Sequence, residues 1–219
     1  NHYQSDVFLN DPINKENIKE SDSKFRYDRV KNLLGEKEQL NPNDAVKILR
    51  DQHGNEEDTL GMGNPRAINQ LIAHHSVVIQ PEKNLFYVST QNFQLGTYVG
   101  YNLEEIMRTG KIESVQYILK DPFVDSPAYQ SFKSYKETKN KISKFVNFGK
   151  PLELSSTEIQ SFIESNAELY ITYEMVGRYF LAKEKPKDAK KYFKIALEKN
   201  LASEAIREEL NVLVEECDE

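Results

Sequence analysis

Apolar residues recur near helical spacing from residue 23, at Phe25, Tyr27, Val30, Leu33 and Leu34. Asp22 or Ser23 is placed to cap that helix and Gly35 to stop it. Asn43, with Asp44 in the first turn, opens a second helix that runs through Val46, Ile48 and Leu49 to about Asp51. Residues 1–21 read as a polar, irregular lead-in with Tyr3, Val7, Phe8 and Leu9 as its apolar anchors. Residues 52–66 hold three Gly, one Pro and an acidic cluster, and predict a loop long enough to be functional. Branched residues then dominate 68–79 and predict a strand. Residues 81–84 are its turn and 85–90 the returning strand of a hairpin. A short strand at 95–101 and a helical start at 102–107 complete this part.

Past residue 120 the pattern changes. Asp121-Pro122 and Ser126-Pro127 break the chain, and helices are predicted at 127–147, 156–165, 167–183, 186–199 and 203–216. Thr157-Glu158 and Ser203-Glu204 put acids in first turns, where they complement the helix dipole. The chain is therefore α+β, with one domain over 1–124 and an all-helical extension over 125–219. Within the extension, Gly177, Phe180, Ala189, Phe193 and Ala196 follow the tetratricopeptide helix-turn-helix pattern over about one repeat. An ordinary helical hairpin wants the same small residues at its close crossing. Either way this region reads as packing or partner surface. The seven acids and one Arg after residue 202 read as a solvated face.

Composition narrows the function classes. Mean hydropathy of −0.68 is polar for a compact globule and points to exposed helices or a core shared with another chain. No apolar run approaches the 18 residues of a membrane span. A net charge of −6 argues against nucleic-acid binding. One cysteine, Cys217, excludes an internal disulfide and a cysteine-rich zinc site.

The residues that could carry chemistry do not assemble into a catalytic set. His74 and His75 are adjacent on the expected strand, so they face opposite sides and cannot chelate one metal together. His53 with Glu56, Glu57 and Asp58 matches no cation-loop spacing. Gly61-Met62-Gly63 follows a loop and has Arg66 where a dinucleotide fingerprint needs glycine. Cys217 lies among carboxylates that suppress a thiolate. No metal and no cofactor is expected.

The order of pieces over residues 1–100 is more informative. Asn1-His2 is followed by a polar segment, then by Ser23-Lys24-Phe25-Arg26-Tyr27-Asp28-Arg29 leading one helix. A second helix at 43–51, a Gly-rich loop and a hairpin come after. This order resembles the C-terminal half of the isopenicillin-N acyltransferase-like family, autoproteolytic cysteine enzymes of the N-terminal-nucleophile superfamily. There a Thr-Asn-His segment precedes a Ser-x-x-R-x-x-R helix, which Ser23, Arg26 and Arg29 match.

The resemblance implies a four-layer αββα sandwich, of which 1–124 is the C-terminal part. It implies hydrolysis or transfer at linear C–N amide bonds of a small substrate, through an acyl-enzyme on a Cys. That Cys would belong to an upstream portion of the same protein, so this chain alone lacks the nucleophile. Asn1 would donate its side-chain N–H to the oxyanion, with Arg26 and Arg29 structural near the site. On the residues alone, Asn1 is equally read as a trimmed end. The Asn1 start, without Met or a signal-peptide pattern, carries the expectation that the chain is processed, trimmed or cut from a longer protein. Such a piece should show one exposed apolar sheet face within 60–100. The alternative is a non-catalytic helical-repeat module whose extension binds a protein partner.

Overall fold

The computed structural model describes residue 3 and residues 5–36, 38–55 and 58–218. Among these it shows an α+β chain of nine α-helices and one four-stranded antiparallel sheet. Two compact units emerge. One comprises 25–58 and 67–126, the other 1–24, 59–66 and 127–219.

The first unit holds the sheet. Helix α2 (Ser23–Gly35) begins two residues before this unit, and α3 (Pro42–Leu49) follows it. A reciprocal capping box between Asn41 and Asp44, with Pro42 in the first turn, starts α3. Strands β1 (Val77–Gln80), β2 (Leu85–Ser89), β3 (Tyr98–Asn102) and β4 (Ser114–Ile118) form a meander in sequence order, with α4 (Leu103–Thr109) between the last two. The β1–β2 turn closes through Asn84 at φ 51°, a conformation Asn tolerates. Val46 of α3 packs with Val78, Leu85, Tyr87, Tyr98 and Ile118, one face of the sheet. Gly100 is required there, because a Cβ would stand 2.7 Å from the Tyr87 ring.

On the opposite face α4 borders the sheet through Leu103. The row Val77–Val88–Val99–Tyr117 crosses all four strands, and Ile79–Phe86–Tyr101 runs beside it. Ile79 is 68% exposed and Tyr117 61%. Within 60–100 the exposed part of this face is Val77 and Ile79, Phe86, Val88 and Val99 being half-buried, and exposure resumes at Tyr117 on β4.

The second unit is helical. It contains α1 (Pro12–Glu20), α5 (Pro127–Phe148), α6 (Ser156–Ser165), α7 (Tyr170–Ala182), α8 (Pro186–Leu197) and α9 (Glu204–Glu216). Neighbours in the series from α5 to α9 pack together, α5 also packs on α7, and α1 on α9. Gly177 permits the α7–α8 crossing: a Cβ there would stand 2.5 Å from Phe193.

Three sequence expectations are corrected. The lead-in is not irregular throughout. Asp11 caps α1 and Pro12 opens it, a start signal present in the sequence. The strand expected over 68–79 shrinks to Val77–Gln80. Upstream of it, Leu71 and Asn69 are buried in a loop whose polar groups bond to one another and to residue 93 rather than to a ladder. Strand β4 was not expected; it is an edge strand with four of five residues exposed, so burial left little apolar contrast in the sequence.

Candidate functional site

Asn1 and His2 lie outside the described residues. Tyr3 is described. Asn14, buried in the first turn of α1, accepts a hydrogen bond from the Tyr3 amide at 2.8 Å and donates to the Tyr3 carbonyl at 3.0 Å.

Arg26 and Arg29 lie one turn apart on α2. Arg29 is 5% exposed and donates from Nε and Nη2 to both oxygens of Asp51, each at 2.9 Å. Bidentate geometry is what a guanidinium adds over an ammonium. Arg26 is half-buried on the same helix. The second arginine of the motif thus ties α2 to the residues that follow α3.

Arg50, next in sequence to Asp51, organises the loop between β2 and β3. Its guanidinium donates to the carbonyls of Gln94 at 2.9 Å, Gly96 at 2.7 Å, Leu95 at 3.4 Å and Leu119 at 3.0 Å. It also lies over the Tyr98 ring, 5.4 Å from the centroid. Burial lowers the Arg50 pKa, with Asp121 and Tyr98 opposing. Phe93 and Gln94 hold left-handed φ angles of 65° and 62°, costly without glycine. Asn69 donates to the Phe93 carbonyl at 2.9 Å and Gln94 to that of Leu49 at 3.1 Å, so the strained turn is held from several sides. No motif marked Arg50 or Asn69; only tertiary contact gives them their roles.

The Gly61-Met62-Gly63-Asn64 loop is a packing clamp of the helical unit. The Asn166 side chain accepts from Met62 N at 2.9 Å and donates to Met62 O at 2.8 Å. Asn64, fully buried, donates to the carbonyls of Leu60 and Asn200, each at 3.0 Å. Gly61 is indispensable: its φ is 79°, and a Cβ would stand 2.4 Å from the Leu169 backbone nitrogen.

The remaining candidates do not converge. His74 and His75 precede β1, and both are exposed, unlike the inward-outward pair expected on a strand. His53 is exposed, while Glu56 and Glu57 lie outside the described residues. Among the described residues no three His, Cys, Asp or Glu side chains gather to hold a metal, and no helix is long and apolar enough to cross a membrane. Cys217 closes α9 and is buried. Burial raises its thiol pKa most, Asp218 and Glu216 add to this, and Lys190 opposes.

The open sheet face offers an apolar hollow of about 470 Å³ bounded by Val77, Ile79, Pro81, Phe86 and Leu103. Phe86, which lines it, stacks on Tyr101 with ring centroids 5.3 Å apart. No protein-family model, curated protein or solved structure matches this chain.

Proposed function

We propose that this chain is the C-terminal part of a cysteine N-terminal-nucleophile amidohydrolase or acyltransferase, acting on linear C–N amide bonds of a small substrate. The observation that carries the reading is the two-sided character of the sheet. Helix α3 covers one face, while the other is apolar across all four strands, exposed at Val77, Ile79 and Tyr117 and half-buried at Val88 and Val99. An αββα sandwich needs such a sheet, with a helix layer outside and a second sheet inside. Apolar area of this extent on a monomer ordinarily marks a surface that something covers. The second sheet, with the Cys nucleophile, would come from an upstream portion of the same protein.

In that mechanism the Cys sulfur attacks the amide carbon, its own α-amino group takes the thiol proton and passes it to the amide nitrogen, and the C–N bond breaks to release the amine as an acyl-enzyme forms. Asn1 donates its side-chain N–H to the oxyanion; a neutral amide does this at any physiological pH. Arg29, held by Asp51, and Arg26 are structural near the site. No cofactor enters.

The helices from α5 onward are a tetratricopeptide-like extension to this enzyme. A second reading makes the helical part a non-catalytic module that binds a protein partner.

The test is amide hydrolysis by the protein joined to its upstream portion, with a cysteine-directed label. Labelling of an N-terminal Cys with loss of turnover is expected. Activity that persists without any Cys overturns the enzyme reading. A start codon or an unrelated linker before Asn1 favours the module.

A further inference from the structure

Strand β1 is at one edge of the sheet and pairs with β2 on its inner side. Ser76 and Ser89 set the phase of that ladder. The Ser89 amide donates to the Ser76 carbonyl at 3.0 Å, and the Ser76 amide donates to Ser89 Oγ at 2.8 Å. Bonded and non-bonded positions alternate along an antiparallel pair. Val78 and Gln80 therefore exchange hydrogen bonds with β2, while the N–H and C=O groups of Val77 and Ile79 point out from the edge. Among the described residues none takes those outward groups up.

The same two residues expose their side chains and line the apolar hollow on the open face. Free edges are ordinarily blunted by a charge, a proline or a bulge. Val77–Gln80 carries neither charge nor proline, and its register against β2 is unbroken. The opposite edge differs, because the pairing of β4 shifts register between Gly100 and Tyr101.

We infer that β1 is the docking edge for a second copy of this chain, joined antiparallel about Val78. The outward groups fix the register. With Val78 opposite Val78 of the second copy, Val77 of each faces Ile79 of the other, and each pair exchanges its free N–H and C=O groups. The side chains of those pairs adjoin on the open face as β-branched cross-strand neighbours. The charged ends agree with this direction. Exposed His74 and His75 precede the strand, and exposed Glu82 and Lys83 follow it. Antiparallel joining sets the Glu82 end of each copy beside the histidine end of the other. Parallel joining would set Glu82 against Glu82 and Lys83 against Lys83. A two-fold contact also closes on itself, whereas β1 on β4 would leave edges free and grow without end. The inference concerns the sheet edge and does not rest on the enzyme reading above.

The test combines sedimentation of the chain over a range of concentrations with disulfide trapping. The wild type is expected to show a monomer–dimer equilibrium. Ile79→Pro removes an outward N–H that bonds nothing within the sheet, a place where an edge strand tolerates proline. It also deletes the Ile79 donor in both symmetric pairs, so the dimer dissociation constant should rise roughly 10-fold or more. Trapping decides the matter even if the proline variant folds poorly. Val77→Cys and Ile79→Cys are made separately in a Cys217→Ser background. Their Cα atoms would stand about 5.5 Å apart across the contact, within disulfide reach, while like positions would stand about 7–8 Å apart. Under mild oxidation the mixture should cross-link to a dimer, and either variant alone much less. A monomer at every concentration overturns the inference, and so does open-ended assembly. A dimer that a folded Ile79→Pro leaves intact, or one that traps no better in the mixture than in either variant alone, overturns it as well by placing the contact elsewhere.

Discussion

Arg29 and Asp51 form a buried, bidentate ion pair, with side chains 6% and 11% exposed and both hydrogen bonds at 2.9 Å. Asp51 also accepts the Asn69 amide through its backbone carbonyl at 2.8 Å, so the pair lies where α2, the end of α3 and the loop before β1 meet. Removing Asp51 takes the bidentate partner from a buried guanidinium. Asp51→Ala is expected to cost about 1.5–3 kcal/mol, measured by urea unfolding. Asp51→Ala together with Arg29→Met should recover much of that loss. A cost below about 1 kcal/mol for Asp51→Ala would mean the pair behaves as a surface one.

The elements legible in the sequence are those with strong local signals. Among the five C-terminal helices α6 and α9 start on capping serines and α8 has Pro186 in its first turn, and all five appear within a few residues of their expected bounds. The turn at 81–84 was equally clear. Failures came where burial was not expressed through a ladder. Residues 68–76 carry strand-like apolar content, yet Asn69 pairs with Phe93 and Leu71, and Leu71 takes a φ of 51° that no branched-residue count foretells. For the site, Arg29 stood out through its motif. Asn14 gave only a weak cue, three residues after a capping Asp. Arg50 gave none, because its four carbonyl partners lie 44 to 69 residues away.

Gly177 should resist even alanine. A helical Gly→Ala change ordinarily gains stability, about 1 kcal/mol. Here the new Cβ meets the Phe193 ring at 2.5 Å, and Phe193 is fully buried. Overpacking of this kind costs about 1–3 kcal/mol, so Gly177→Ala is expected to lower Tm. Phe193→Leu in the Gly177→Ala background should raise it again. A higher Tm for the single variant would show that α7 and α8 can move apart freely.

The open sheet face predicts different outcomes in two contexts. In this chain Ile79 is 68% exposed, so Ile79→Lys should change stability by no more than about 0.5 kcal/mol and reduce binding of an apolar dye. Joined to a covering sheet, the same lysine would have to be buried without a partner, and the protein should fail to fold or lose several kcal/mol. Comparing the two by calorimetry separates the contexts. Equal tolerance in both would count against a covering sheet.

At α6 the Ser155–Glu158 capping box gives a pH dependence whose sign can be worked out. The Glu158 carboxylate accepts from the Ser155 amide at 2.8 Å and hydroxyl at 2.7 Å, and Ser155 Oγ accepts from the Glu158 amide at 3.2 Å. The hydroxyl bond foremost, then the amide bond, lowers the Glu158 pKa below the ordinary carboxylate value, with Lys141 a smaller contributor in the same direction. A group whose folded pKa is depressed binds fewer protons in the folded state across that interval. Its stabilisation is therefore present above the unfolded pKa and fades as pH falls through the folded one. The Glu158 side-chain resonance should titrate below that of a free glutamate, and α6 should fray first on acidification. In Ser155→Ala both bonds from the serine side chain are lost, so the Glu158 midpoint should move up toward the free value and the acid fraying should begin at higher pH. An unchanged midpoint in that variant would show that the box does not persist in solution.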